Sequence, residues 1–206
     1  MNVIKISGLI NDIPQYSHTT KGEDFFSFYI ESRRTSGAVD NIPCIVSEVL
    51  IDMIPGCQMI QLEGEIRSRN IYEDGGKTKT EYFVFVRNVS EYSGTDINIV
   101  DLHGFICRKP NYRETPAGKC ISDFIVASNR INSFKADYLP VIAWGRTAMR
   151  VDLMDVGTEI KISGRFQSRA YQKRINETET EIREAYELSC MTIMEINDES
   201  KNNDGF

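Results

Sequence analysis

The sequence lacks the short motifs by which most enzymes and metal proteins are identified. It has no HExxH, GxSxG, GxGxxG or phosphate-binding glycine loop, and its two histidines, His18 and His103, lie far apart. Its five cysteines include no CxxC pair, which argues against a zinc site or a disulfide framework. No apolar run approaches the roughly 20 residues of a membrane span. We therefore expect a cytoplasmic protein that is not an enzyme and needs no metal or cofactor.

Positive charge is also scarce in this chain. The chain has 24 Lys and Arg against 30 Asp and Glu, a formal net charge of −6. Proteins that bind nucleic acids usually present a basic face, so this total argues against such a partner. Net charge does not report the local potential, however, and base stacking supplies much of the binding free energy where cations are few.

The chain contains an internal repeat of about 100 residues. Three pairs of segments match in order: Ile6–Ile10 with Leu102–Ile106, Lys21–Arg34 with Ala117–Arg130, and Leu62–Arg69 with Ile162–Arg169. A period of this length indicates a duplicated domain. We expect domains at 1–93 and 97–196, joined by the polar stretch Ser90–Asn98, and a short acidic tail at 197–206.

Each copy has the pattern of a small β-barrel. Apolar and polar residues alternate in Asn2–Ile10, Phe25–Ser32 and Ile160–Phe166, as in half-buried strands. Helical spacing occurs once per copy, in EVLIDMI and in RTAMRVDLMDV. Three strands, a helix, a strand, a long hairpin and a last strand is the order of the OB-fold. The predicted class is all-β with one short helix per domain, as two tandem OB-folds, each a five-stranded Greek-key barrel.

The second copy resembles bacterial single-stranded DNA-binding proteins (SSB). The matching segments are LHGFICRKPNYRETPAGKCISDFIVASNR, DYLPVIAWGRTA, VGTEIKISGRFQSRAY and REAYEL. The first copy fits the same frame more loosely. The resemblance implies sequence-independent binding of single-stranded DNA in replication, recombination or repair, in the bacterial cytoplasm at the nucleoid. It also implies a homodimer, because family members with two such domains per chain reach four OB-folds in that way.

A protein that binds single strands of any sequence needs aromatic rings on which bases stack, with cations beside them. The family resemblance assigns the rings to Tyr138, Trp144, Phe134 and Tyr171, although Tyr171 could instead cover the base of its hairpin. Tyr138 and Trp144 are six residues apart, so strand alternation turns both to one side. The cations expected nearby are Arg130, Arg146, Arg165, Arg169, Lys173 and Arg174.

The first copy lacks aromatic residues at the matching positions. Asn41, Ser47 and Ile71 stand where the second copy has Tyr138, Trp144 and Tyr171, and Glu65 replaces Arg165. Residues 1–95 contain nine basic and thirteen acidic residues, whereas residues 96–196 contain fourteen of each. We therefore predict that the first domain is degenerate as a DNA binder and serves mainly as a structural partner.

Two features leave alternatives open. The tail NDESKNNDGF is either a plain polar tail or a reduced docking tip for replication or repair proteins, in which Asp204 and Phe206 make the contacts. The chain as a whole could also be an OB-fold adaptor of the replication-restart (primosomal) type, acting mainly through protein contacts. An adaptor needs no stacking platform, so exposed aromatic residues would favour the strand binder.

Overall fold

The computed structural model describes residues 1–54, 56–73, 76–131, 133–174, 176 and 180–196. Within them the chain forms twelve strands and two short helices. The strands are β1 (Asn2–Ile10), β2 (Gln15–Thr20), β3 (Glu23–Arg33), β4 (Val39–Ser47), β5 (Gln58–Glu73), β6 (Lys77–Glu91), β7 (Asn98–Ile106), β8 (Asn111–Glu114), β9 (Cys120–Asn129), β10 (Ala136–Trp144), β11 (Glu159–Arg174) and β12 (Thr180–Glu195). The helices are α1 (Glu48–Ile51) and α2 (Gly145–Asp152).

The first unit, β1 to β6, is a closed barrel. β1 pairs with both β3 and β5, β3 pairs with β4, and β5 pairs with β6. A parallel pairing of β4 with β6 closes the barrel. These five strands, with α1 between β4 and β5, have the predicted Greek-key order. β2 is a short addition at the edge of β3.

The second unit, β7 to β12, repeats this arrangement strand for strand. β7 pairs with β9 and β11, β9 with β10, and β11 with β12. The parallel closure is between β10 and β12, and β8 lies at the edge of β9. The two units are therefore tandem OB-folds, as predicted.

Glycines allow the strands to cross closely where each barrel closes. A β-carbon at Gly8 would lie 2.3 Å from the carbonyl oxygen of Glu31, and one at Gly104 would lie 2.3 Å from that of Ala127. Only a residue without a β-carbon fits such an approach. The two sites are equivalent in the repeat, so both barrels close by the same device.

Both helices are shorter than the sequence pattern predicts. In α2, Ala148 and Val151 face the core and are fully buried. Met154 is also buried, although the helix has already ended at Asp152. Gly157, which follows with φ +93°, turns the chain into β11. The apolar periodicity thus predicted correctly which side of the segment is buried, but it overestimated the length of the helix.

The units are joined edge to edge into one sheet. β1 and β7 pair antiparallel, with Ile4 opposite Val100, so the hydrogen-bonded order runs through all twelve strands. Most of the buried apolar residues of both barrels form one continuous core cluster. The chain is thus a covalent pseudo-dimer in which the two barrels share a sheet and a core.

Candidate nucleic-acid interface

The outer side of β10 presents the predicted aromatic pair. Strand alternation turns Asp137, Leu139, Val141 and Ala143 to the barrel interior, where all four are buried. Tyr138 is 55% and Trp144 42% exposed on the opposite side. Six residues of strand separate the rings by about 20 Å. The pair therefore offers two separate stacking surfaces along one strand.

Trp144 is held in position by the start of α2. It is the residue before the first helical turn, with extended φ and ψ of −126° and 147°. It is also the last residue of β10 and lies opposite Ile121 of β9. Gly145 follows with φ +56°, which lets the chain turn sharply into the helix. The backbone on both sides of the indole is thus defined by regular structure.

The other two predicted aromatic residues lie apart from this pair. Phe134 is fully exposed in the turn between β9 and β10. Tyr171, 37% exposed on β11, lines a groove of about 820 Å³ together with Tyr29 and Phe83 of the first unit. The structure therefore brings Tyr171 next to first-unit residues, a neighbourhood that the sequence did not predict.

Arg130 is committed to the junction between the units. Its guanidinium donates to both oxygens of the buried Asp137 carboxylate, from Nε at 2.8 Å and Nη2 at 2.6 Å. Nη2 also donates to the carbonyl of Ser68 in the first unit at 3.0 Å. Hydrogen bonding to Asp137 raises the pKa of Arg130. Arg130 therefore has a structural role at the junction, and the DNA contact expected from the sequence stays a prediction.

The first unit contains the equivalent junction, with the roles of the two units exchanged. Arg34 donates to both oxygens of buried Asp40, and its Nη2 reaches the carbonyl of Ser168 in the second unit at 2.9 Å. Arg165, another predicted cation, donates from Nη2 to Asp40 Oδ2 at 3.1 Å. Burial lowers the pKa of Arg165, and its side chain is 16% exposed. Arg165 thus serves the junction as well.

The junctions also position the backbone beside them. Ser68 donates from its backbone N–H to Asp137 Oδ1 at 2.7 Å, and its Oγ accepts the backbone N–H of Tyr138 at 3.2 Å. Ser168 does the same for Asp40 and Asn41, at 2.9 and 3.2 Å. Each unit therefore fixes the start of the other unit's central strand, and in the second unit that strand holds Tyr138.

The remaining predicted cations are exposed. Arg146 opens α2 two residues after Trp144. Arg169 lies 3.8 Å from Glu187 through its Nε, and Arg174 donates to the carbonyl of Asn176 at 3.1 Å. Lys173 and Arg174 extend along the β11–β12 hairpin beyond Tyr171. Arg146 is thus the cation placed nearest to the aromatic pair along the chain.

The matching positions of the first unit have different roles. Ser47 caps α1 by accepting the backbone N–H of Val49 at 3.2 Å, and its hydroxyl also contacts Glu23. Glu65 binds Arg67 at 2.9 Å and Arg87 at 3.1 Å. Tyr72, beside Ile71, is 82% exposed. At these positions the first unit therefore has a helix cap and an ion-pair centre.

The aromatic residues of the first unit's outer face escaped the sequence analysis. They are Phe25 and Tyr29 on β3 and Phe83 and Phe85 on β6, the strands on either side of β4. Comparison by matched position missed them because it examined only β4 and the hairpin. The alternation in EDFFSFYI and EYFVFVRN was the signal that could have found them.

Asp204 and Phe206 lie outside the described residues. Within the described ranges, no group of three or more His, Cys, Asp and Glu residues is placed to hold a metal ion. In the same part of the chain, no helix has the length and apolar character needed to cross a membrane.

Fold and site together define a tandem OB-fold protein with an exposed aromatic pair on its second barrel. Residues 97–188 match the model of the single-strand binding protein family. The second unit is therefore similar to that family over most of its length, and the resemblance expected from the sequence is confirmed.

Two known proteins that resemble this chain in sequence agree with the family match. The chain is 34% identical over 84 residues to a single-stranded DNA-binding protein of Clostridium tetani, and 30% identical over 88 residues to one of Oceanobacillus iheyensis. These matches cover 38% and 40% of this chain and 58% and 55% of the relatives, so the chain spans little more than half of their length.

Solved structures of the single-stranded DNA-binding protein from Thermus aquaticus share the whole fold. The wild-type structure aligns with a TM-score of 0.76 at 20% identity and covers 96% of this chain and 93% of its own. A deletion mutant of that protein aligns at 0.73 and 21% identity, over 96% and 95%. The likeness extends over both units and therefore supports the tandem architecture.

Proposed function

We propose that this chain binds single-stranded DNA without sequence preference and protects it during replication, recombination or repair. The observation that supports this best is the pair of exposed rings, Tyr138 and Trp144, on the second barrel. Every base has a π-face, so stacking holds a strand whatever its sequence. The names of the relatives point to the same ligand.

The second unit is the main binding unit in this proposal. Bases stack on Tyr138 and Trp144, with Phe134 at the turn and Arg146 beside the indole. Arg169, Lys173 and Arg174 supply phosphate contacts along the hairpin. The logarithm of the affinity should fall with the logarithm of the salt concentration by about 0.7 for each phosphate contact. Because few phosphates are neutralised, the total slope should be shallow.

The protein acts, in our proposal, by binding alone and not as an enzyme. The functional boundaries would follow 1–93 and 97–196. The tail, 197–206, would recruit replication or repair proteins through Asp204 and Phe206, and the site of action would be the nucleoid. The adaptor alternative gains nothing from the exposed Tyr138 and Trp144, since a protein-only adaptor needs no stacking surface.

We further propose a homodimer with four OB-folds. Ile99, Phe105 and Met194 are exposed on the outer side of the central sheet formed by β1, β7, β11 and β12. Apolar exposure on a sheet face favours association with another copy. Light scattering should give twice the mass of the chain, and Ile99→Glu should reduce it to one chain. A monomeric wild-type protein would contradict the dimer.

The DNA-binding proposal is tested by fluorescence anisotropy with labelled oligo-dT. Trp144→Ala should weaken binding by about 1–3 kcal/mol, the free energy of stacking one base. Tyr16→Ala is the control, because Tyr16 is more exposed than Trp144, at 60% against 42%, but lies on the edge strand β2. Equal affinities for oligo-dT and a DNA duplex, or an unchanged affinity in Trp144→Ala, would contradict the proposal.

A further inference from the structure

In the second unit the exposed aromatic pair lies on β10, whereas in the first unit the aromatic side chains lie on the two strands beside the equivalent strand β4. Tyr29 lies opposite Pro43, in the position that Ile125 takes opposite Pro140. Ile45 is in register with Phe85 on β6. The first unit therefore has an aromatic outer face, formed by β3 and β6 on the two sides of β4.

These aromatic residues pack outside the main core. Phe25, Ile45 and Phe83 form a separate buried cluster, with Phe85 packed against it. His18 stacks on Phe25 with ring centroids 5.1 Å apart. Next to this cluster Tyr29 is 53% exposed. The face thus combines a buried apolar base with one accessible ring.

Arginine side chains lie over this base. The guanidinium carbons of Arg67 and Arg87 are 3.8 and 4.7 Å from the centroid of Phe85. Arg69 lies 5.3 Å from the centroid of Phe83. Three arginines against the two carboxylates that bind them, Glu65 and Glu81, leave one positive charge in excess. Aromatic rings with adjacent arginines are the composition of single-strand sites.

A groove connects this face with the second unit. Its lining includes Tyr29, Pro43 and Phe83 of the first unit, and Pro140, which is on the same side of β10 as Tyr138 and Trp144. Tyr171 and Tyr186 lie along the groove between the two units. An extended chain can therefore pass from the second barrel to Tyr29 along a surface lined with tyrosines.

We propose that a single strand bound to Tyr138 and Trp144 continues through this groove past Tyr171 and stacks on Tyr29 of the first unit. The first unit is then a second binding surface with its ring on β3, in place of the degenerate partner expected from the matched positions. This inference rests on the proposed function, because it concerns the path of the same ligand.

The charges along the groove favour contact through bases rather than phosphates. Arg69 pairs with Glu81 at 3.0 Å, and Arg183 with Glu181 at 2.8 Å. Tyr186 donates to Glu184 at 2.9 Å. Since these cations are already neutralised, the strand would turn its bases toward the tyrosines and its backbone toward solvent. Binding at Tyr29 should consequently depend on strand length more than on salt.

The experiment moves the fluorescent reporter to the first unit. In the Trp144→Phe background, Tyr29→Trp introduces a single indole at the groove, and Tyr16→Trp introduces one at β2 as the matched control. Oligo-dT of about 30 nucleotides should quench the Tyr29→Trp protein and leave the Tyr16→Trp protein unchanged. An oligonucleotide of about 8, within the reach of one OB-fold, should quench neither.

Affinity supplies an independent readout. Tyr29→Ala should weaken binding of the longer strand roughly 5- to 150-fold, the equivalent of one stacked base, and leave the shorter strand unaffected. Absence of quenching at Tyr29→Trp while the long strand remains bound would overturn the inference. So would an equal loss on both lengths, because Tyr29 would then belong to the same short site as Trp144.

Failure of the proposed function has a different signature. If the wild-type protein shows no quenching of Trp144 and no affinity for either length, the chain does not bind single strands at all. If Trp144 is quenched and Tyr29→Trp is not, the strand stays on the second unit and only the path proposed here is wrong.

Discussion

The two barrels have the same framework and different outer faces. Closure glycines, the parallel closing strands and the arginine–aspartate junctions occur in both units. On the outer face, by contrast, the second unit has Tyr138 and Trp144 on its central strand, whereas the first has Asn41 and Ser47 there. Packing constrains the shared features in any sequence that closes such a barrel. The outer face is free to change, and function can therefore differ between the units.

The largest expected effect concerns the junctions. Asp137→Ala and Asp40→Ala each remove a buried carboxylate, which leaves Arg130 without its partner in the first variant and both Arg34 and Arg165 in the second. Each should lower the free energy of unfolding by about 3–5 kcal/mol, as measured by urea denaturation. The loss in Asp40→Ala should be the larger of the two, because Asp40 also accepts from Arg165. A loss below about 1 kcal/mol in either variant would show that its ion pair contributes little.

The closure glycines should come next. In Gly104→Ala and Gly8→Ala the new methyl group would lie 2.3 Å from a carbonyl oxygen, so the strands must separate. Overpacking of this kind costs about 1–3 kcal/mol or more. Thermal unfolding of both variants is the measurement. Gly118→Ala separates crowding from backbone strain: nothing lies within 4 Å of its β-carbon position, and its φ of +71° alone should cost about 1–2 kcal/mol.

The outer faces should differ in binding and not in stability. Tyr138→Ala should lose about 1–3 kcal/mol of affinity for oligo-dT, because it removes an exposed ring. Asn41→Ala, at the equivalent position of the first unit, should leave the affinity unchanged. A comparable loss in Asn41→Ala would mean that β4 of the first unit also contacts the strand.

Introducing an aromatic residue at position 47 of the first unit should add little to DNA binding. Ser47→Trp removes the cap of α1 and should cost about 0.5–2 kcal/mol of stability, with little gain in affinity for oligo-dT. Ser47→Ala separates the two effects, since it removes the cap alone. A large gain in affinity from Ser47→Trp would show that the first unit's face lacks only that ring.

The smallest effect should separate the two serines at the junctions. Ser68→Ala and Ser168→Ala each lose a hydroxyl contact worth about 0.5–1.5 kcal/mol of stability. Only Ser68 accepts the backbone N–H of Tyr138, so only Ser68→Ala should also weaken DNA binding, by a few-fold at most. Equal affinities in the two variants would show that Tyr138 is held in place without the first unit.

Residues that face the core or close the barrel were predictable from sequence. Alternation identified the strands, and the spacing of Ala148, Val151 and Met154 identified a buried helical side. The exposed positions of Tyr138 and Trp144 followed from the same alternation. These features depend on neighbours along the chain, and sequence periodicity reports such neighbours directly.

The roles of the arginines could not be predicted in this way. Arg130 and Arg165 reach carboxylates that depend on how the two barrels pair, and that pairing is not visible in either repeat alone. Tyr171 likewise lines a groove that both units form. The aromatic face of the first unit was not predicted because its rings lie on β3 and β6, and a comparison of equivalent positions covers only β4 and the hairpin.

The most direct test of the account uses the single tryptophan of the wild-type chain. Oligo-dT titrated into the protein at low salt should quench the fluorescence of Trp144 strongly and in a saturable manner, because a base stacks on the indole. Saturable binding by anisotropy without any change in Trp144 fluorescence would contradict the account and place the DNA elsewhere on the molecule.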